Sequence, residues 1–259
     1  MIVESDRRQF LKLTALAGSA VILGACGAHG EANQNSANAA AVKTDEPNKK
    51  DQADKKDEKE VTPIEDLMRE HGVLRRCLLV FNEAAVMMGG TSPPSYADAV
   101  QKAAKLFRTF GEDYHEKRLE EQYIFPLIRQ KGATGPAGIY PDILTAQHDR
   151  GREITDYVIS ATASGKVGAN ARDIAGALSG FVRMYQAHAA REDTVVFPAW
   201  KNLITAEEYD DLGDKFEDIE NEQFGEDGYE VALKQIAEIE ASIGMDDISK
   251  LTPMPPPKK

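Results

Sequence analysis

The 259-residue chain has only two cysteines and one tryptophan, and no stretch of it alternates polar and apolar residues in the manner of a strand. Cys26 and Cys77 could close one bridge at most, which excludes a small domain stapled by disulfides; the fold must rest on its core or on a metal. The longest apolar run, residues 13–25, has 13 residues, fewer than the roughly 18 to 20 that a membrane-spanning helix needs. Bases are scarce as well. There are 31 Lys and Arg against 43 Asp and Glu, a net charge of -12, and no basic block beyond the first few residues, so nucleic acid is set aside as a partner. What remains is 42% hydrophobic and 29% charged, enough for one core of ordinary size with appendages.

The first sixty residues read as an address and a tether. Arg7-Arg8-Gln9-Phe10-Leu11-Lys12, then the uncharged run and Leu23-Gly24-Ala25-Cys26, follow the order of a signal peptide. The arginine string resembles a twin-arginine export signal, although Asp6 stands where Ser or Thr is usual. Leu-Gly-Ala-Cys resembles a bacterial lipobox. That resemblance implies cleavage before Cys26 and acylation there, giving an exported lipoprotein anchored to a membrane and facing the periplasm or cell exterior. Residues 26–60 hold almost no large apolar side chain and a nearly balanced run of charge, the composition of a disordered tether. Cys77 is left alone, where a buried, unreactive side chain is expected.

From Pro63 apolar residues recur at spacings of three and four: Leu67, Leu74, Leu78 and Phe81, then Ala103, Leu106, Phe107 and Phe110. Breakers at 89–94, 132–141 and 164–168 cut the region into four long segments, 63–88, 95–130, 141–164 and 170–203. The expected fold is all-α, a four-helix up-down bundle over 61–204. Residues 207–247 carry 16 acids and two bases, with apolar residues such as Phe216, Ile219, Ile236 and Ile239 at helical spacing. Additional acidic helices over 205–248 are therefore expected to cover the bundle, before a proline-rich tail at 249–259.

The second half of the bundle echoes the first. His115 precedes Glu120, which lies five residues before Phe125-Pro126; His188 precedes Glu192, which lies five before Phe197-Pro198. His71 and His148 stand alone, each four residues after a leucine, Leu67 or Leu144. A lone histidine on an apolar face is ordinarily a hydrogen-bonded core residue. Four of them, one per helix, would each require a separate buried partner, whereas a shared cation serves all at once. Imidazole with carboxylate suits iron, manganese or zinc, and two bridging carboxylates suit two ions. His188 and Glu192, four apart, share a helix face. His115 and Glu120, five apart, do not in an ideal helix, so either the helix widens in a π-bulge or Glu116 or Glu121 takes the place of Glu120. The repeat before Phe-Pro favours the bulge.

At these residues, over roughly 63–201, the sequence resembles the hemerythrin-like, or HHE cation-binding, family. The resemblance implies a four-helix bundle around two non-haem iron ions, with His71, His115, His148 and His188 as terminal ligands and Glu120 and Glu192 as bridges. Two departures are visible. Arg152 stands where oxygen-carrying members have a second histidine, and the fourth helix has His-x3-Glu in place of His-x4-Asp. About four protein donors per ion leave positions open, so reaction with oxygen, peroxide or nitric oxide is as well supported as reversible oxygen storage. The sequence leaves open an oxidase or peroxidase, a non-enzymatic binder, and a metal-free helical interaction lipoprotein. A ferritin-like carboxylate centre is disfavoured, since it would want two Glu-x-x-His pairs on separate helices and only Glu112 and His115 have that spacing. Tyr114 and Tyr185, close to ligand candidates in sequence, are expected to pack or to bond between helices. Twin-arginine export carries folded proteins, which agrees with a bundle that acquires its metal before crossing the membrane.

Overall fold

The computed structural model describes residues 61–88, 96–167, 170–225 and 227–257. The export signal, the Cys26 acylation site, the tether and the breaker at 89–94 lie outside the described residues. Helix α1 (Pro63–Met88) opens on a proline, whose missing N–H costs nothing in a first turn, and carries Glu65 and Asp66 there. Its buried stripe, Leu67, Leu74, Leu78, Phe81 and Ala85, follows the periodicity read from the sequence. The second bundle helix is continuous: α2 (Ala97–Leu106), a π-helical segment (Phe107–Ile124), then α3 (Phe125–Gln130). The third is α4 (Pro136–Thr162), and the fourth is α5 (Ala171–Arg191), a π-helical turn (Glu192–Val196) and α6 (Phe197–Leu203). Among the described residues every regular element is helical, and no helix is long and apolar enough to cross a membrane.

One boundary differs from the sequence expectation. The third helix begins at Pro136, not at Pro141, which lies inside it. Gly135, at φ +64°, makes the turn that starts it, a backbone region open to glycine and costly to other residues. Pro136 then occupies the favoured first position, and Pro141 removes one interior N–H without ending the helix.

After the bundle come α7 (Ala206–Phe224) and α8 (Gly228–Ser242). Helix α7 is started by a reciprocal cap in which Thr205 Oγ1 accepts from Glu208 N and Glu208 Oε2 accepts from Thr205 N; Gly225, left-handed at φ +72°, ends it. Both helices turn their apolar residues inward. Trp200 of α6 is fully buried, with Tyr209 and Phe216 of α7 against it at 5.4 and 6.0 Å between ring centroids. Arg76 of α1 donates through Nε and Nη2 to the carboxylate of Glu240 on α8, tying the extension to the first bundle helix. Cys77, beside it, is buried and free.

Candidate metal centre

Each bundle helix brings one histidine to the interior, and the second and fourth each add a glutamate. His71, His115, His148, His188, Glu120 and Glu192 are at most 3% exposed. The histidines meet in two pairs, His71 with His115 and His148 with His188; in each the Nε2 atoms lie 3.0 Å apart and the ring centroids 4.7 Å apart. The glutamates lie between the pairs. Glu120 places Oε1 3.4 Å from His115 Nε2 and Oε2 3.4 Å from His148 Nε2. Glu192 places Oε2 3.5 Å from His71 Nε2 and Oε1 2.8 Å from His188 Nε2. Each carboxylate therefore spans from one imidazole pair to the other.

Local backbone structure makes this arrangement possible. A helix bonded i→i+5 puts residues five apart on one face, and the π-helical stretch through His115 brings Glu120 round beside it. Glu120, not Glu116 or Glu121, is the carboxylate between the pairs. Both widened segments end at the same kind of step: Phe125 N–H donates to Glu120 O and Phe197 N–H to Glu192 O, each immediately before a proline. A proline ring crowds the carbonyl four residues back and offers no N–H, which a wider turn upstream relieves. The phenylalanines then stack on the lone histidines, Phe197 on His71 (5.5 Å) and Phe125 on His148 (5.8 Å).

A further set of residues orients the rings. Each Nδ1 faces an oxygen: His71 that of Asp193 (2.7 Å), His115 that of Glu70 (2.6 Å), His148 that of Glu121 (2.8 Å) and His188 that of Gln147 (2.9 Å). These contacts leave all four Nε2 atoms aimed inward. Burial disfavours a proton on these rings, but the surrounding carboxylates outweigh it, holding His71 above the usual imidazole range and His115 and His148 well above it. Burial likewise opposes charge on Glu120 and Glu192. Glu192 also opposes it on Glu120, yet the facing imidazoles hold Glu120 low and Glu192 well below the ordinary carboxylate value. All four oxygens of these glutamates are buried, and none receives a well-directed hydrogen bond. Such an orphaned set is expensive unless positive charge sits among it. The donor set is nitrogen and oxygen without thiolate, and two groups within it, Glu120, His148, His188 and Glu192, and His71, His115 and Glu120, are close enough to hold ions. The residues fit a pair of borderline cations such as iron, manganese or zinc.

Beside the centre lies a cavity of about 10 Å³, room for one water-sized body. Leu74, Leu78, Phe107 and Ala189 give it apolar walls; Glu116 and Tyr185 add a polar one, and Arg75 stands at its edge. Tyr185 Oη donates to Glu116 Oε1 at 2.8 Å, and Tyr114 Oη to Glu70 Oε1 at 3.0 Å, so both tyrosines bond between helices as expected. Arg152 donates to Glu121 (2.6 Å) and Glu116 (3.3 Å), so these two carboxylates already have a cation beside them. Sequence reasoning missed Glu70, Gln147 and Asp193 as ring-orienting residues. Their signal was adjacency, since each stands next to a ligand candidate in the sequence and backs a ring from another helix.

A model of the hemerythrin HHE cation-binding domain matches residues 62–200. An uncharacterised protein of Mycobacterium bovis is 38% identical over 250 residues, covering 95% of this chain and 91% of that protein. Uncharacterised proteins of two Mycobacterium tuberculosis strains match to the same extent. No solved structure matches the chain significantly. With four histidines and two glutamates gathered in a four-helix interior and the family model covering more than half its length, the chain belongs to the hemerythrin HHE cation-binding family.

Proposed function

We propose that the bundle holds two iron ions between its histidine pairs and uses them to bind, or react with, oxygen, peroxide or nitric oxide. One observation carries this reading: four inward imidazole nitrogens and two buried glutamates spanning them, with no directed hydrogen bond to any of the four carboxylate oxygens. Iron at that place supplies reversible change of oxidation state and open positions for a small ligand. The protein's own residues fix the rings through their Nδ1 partners and set the size of what can approach. The apolar walls of Leu74, Leu78 and Phe107 exclude bulk water, and a cavity with room for one water-sized body admits only the smallest ligands. Glu116 and Tyr185 on its wall favour a ligand that hydrogen-bonds, which supports the oxidase or peroxidase reading beside that of a simple binder.

The purified protein is expected to carry close to two equivalents of iron, with an absorption spectrum that changes on exposure to air. His188→Ala and Glu192→Ala should each lose most of that iron by elemental analysis. Protein that is colourless and iron-free after growth in iron-rich medium, or both variants retaining full iron, would remove the assignment.

The same proposal places the protein outside the cytoplasmic membrane as a lipoprotein, supported by the twin-arginine string and by Leu-Gly-Ala-Cys26. Intact mass should show an acylated Cys26, and Cys26→Ser should move the protein from the membrane to the soluble fraction. An unprocessed, unacylated chain would sink the localisation and leave the metal reading untouched.

A further inference from the structure

The site has an internal two-fold correspondence. His71 corresponds to His148, His115 to His188, Glu120 to Glu192 and Phe197 to Phe125. The ring-orienting residues obey it too. Asp193, next to Glu192, backs His71, as Glu121, next to Glu120, backs His148. Glu70, next to His71, backs His115, as Gln147, next to His148, backs His188. Only this last correspondence changes in kind, a carboxylate on one side and a neutral amide on the other.

The difference bears on the opposite nitrogen. An imidazole that donates its Nδ1–H to a carboxylate gains electron density at Nε2 and becomes a stronger ligand; donation to an amide oxygen does less. Both rings of the His71/His115 pair are backed by carboxylates, whereas only one ring of the His148/His188 pair is. Neighbouring cations do not cancel the difference, since Arg75 bonds Asp193 on one side and Arg152 bonds Glu121 on the other. Glu70 is 1% exposed, and the phenol of Tyr114 donates to its other oxygen, Oε1, leaving Oε2 to His115. Glu116, also near His148, accepts from Arg152 and Tyr185 and bonds no imidazole.

We infer that the two cation positions are unequal: the one facing His71 and His115 binds more tightly and fills first, and Glu70 against Gln147 sets that order. The inference rests on the two-cation reading above. Two cations sharing bridging glutamates repel each other, so stepwise uptake alone would decide nothing. The response to exchanging the backing residues does.

The test is titration of the metal-free full-length protein with Co(II) against a chromophoric competing chelator. His188→Ala, which keeps the carboxylate-backed pair, should bind its one equivalent about tenfold more tightly than His115→Ala, which keeps the other. Gln147→Glu should tighten the weaker step of the otherwise native protein by about tenfold, and Glu70→Gln should weaken the stronger step by a similar factor. Gln147 is only half buried, and a gain in affinity is not produced by misfolding; melting curves would establish that Glu70→Gln remains folded. Equal affinities in the two alanine variants, with Gln147→Glu leaving both steps unmoved, would overturn the inference while leaving two cations bound. Failure of the native protein to bind Co(II) at all would instead overturn the reading beneath it.

Discussion

Gly151 of α4 shows how closely the surroundings of the site are fitted. A β-carbon there would stand 2.0 Å from Tyr185 Oη and under 3.0 Å from two ring carbons, so the phenol occupies the space a side chain would take. That space lets Tyr185 reach Glu116. Burial and the neighbouring Glu116 and Glu112 carboxylates push the phenol's pKa well above its usual value, keeping it a donor. Gly151→Ala would add helix propensity, by itself worth about 1 kcal/mol, but must displace a packed tyrosine, at a cost of about 1–3 kcal/mol. The expected result is net destabilisation by urea melts. Tyr185→Phe should reduce that cost, so the two substitutions should be non-additive in a double-mutant cycle. Additive effects would show that the phenol oxygen is not the obstacle. At this scale the ligand candidates were legible in the sequence and the fitting was not. Histidines at one per helix stand out because each buried one needs a partner, whereas a glycine inside a helix carries no sign of the tyrosine that fills its space.

Element boundaries were legible where a local chemical signal exists. Helix α1 runs over the expected 63–88 because a proline opens it and its apolar stripe is regular. The widened turn at Glu120 was inferred from the repeat before Phe-Pro, but its extent from Phe107 and the second one at Glu192–Val196 were not. His188 and Glu192 already share a face at a spacing of four, so their spacing demanded no distortion. The proline-driven turn shows only in the backbone. Pro141 misled in the opposite direction, since a proline five residues into a helix is a costly feature that tertiary packing overrode. The acidic helices offer a test at this scale. Thr205→Ala removes the acceptor for Glu208 N and should cost about 1 kcal/mol, a fall of a few degrees in melting temperature. Because α7 buries Tyr209 and Phe216 against Trp200 of α6, the loss should appear in the single global transition. A separate early transition would instead show that the extension unfolds apart from the bundle.

For the whole molecule, the centre's charge balance makes stability depend on protons and cations in opposite ways. Without a cation, the imidazoles of His71, His115 and His148 hold protons more tightly than the ordinary value of 6.5, because the buried carboxylates around them outweigh the cost of burial. Their contribution is fully present below that value and is lost as pH rises through their higher folded values. Glu112 acts in the same direction. Burial and nearby Glu116 push it up from 4.5 to about 8 despite Thr155 and Arg108, so the folded state keeps a proton that the unfolded chain releases. Stability therefore falls with rising pH between those two values. Glu120 and Glu192, held below 4.5, contribute above it and are lost as acid protonates them. The metal-free protein should then be most stable in acidic solution, at about pH 4.5 to 5.5, decline through Glu112 above that and more steeply once the histidines titrate, and lose on the order of a few kcal/mol by about pH 9. Glu112→Gln should flatten part of that decline. With cations bound the rings must be neutral, so binding releases protons and tightens as pH rises, and the loaded protein should hold or gain stability over the same range. Melting temperatures of the metal-free and loaded forms across this range provide the comparison. Parallel pH profiles for the two forms would show that protons and cations do not compete for the histidine pairs.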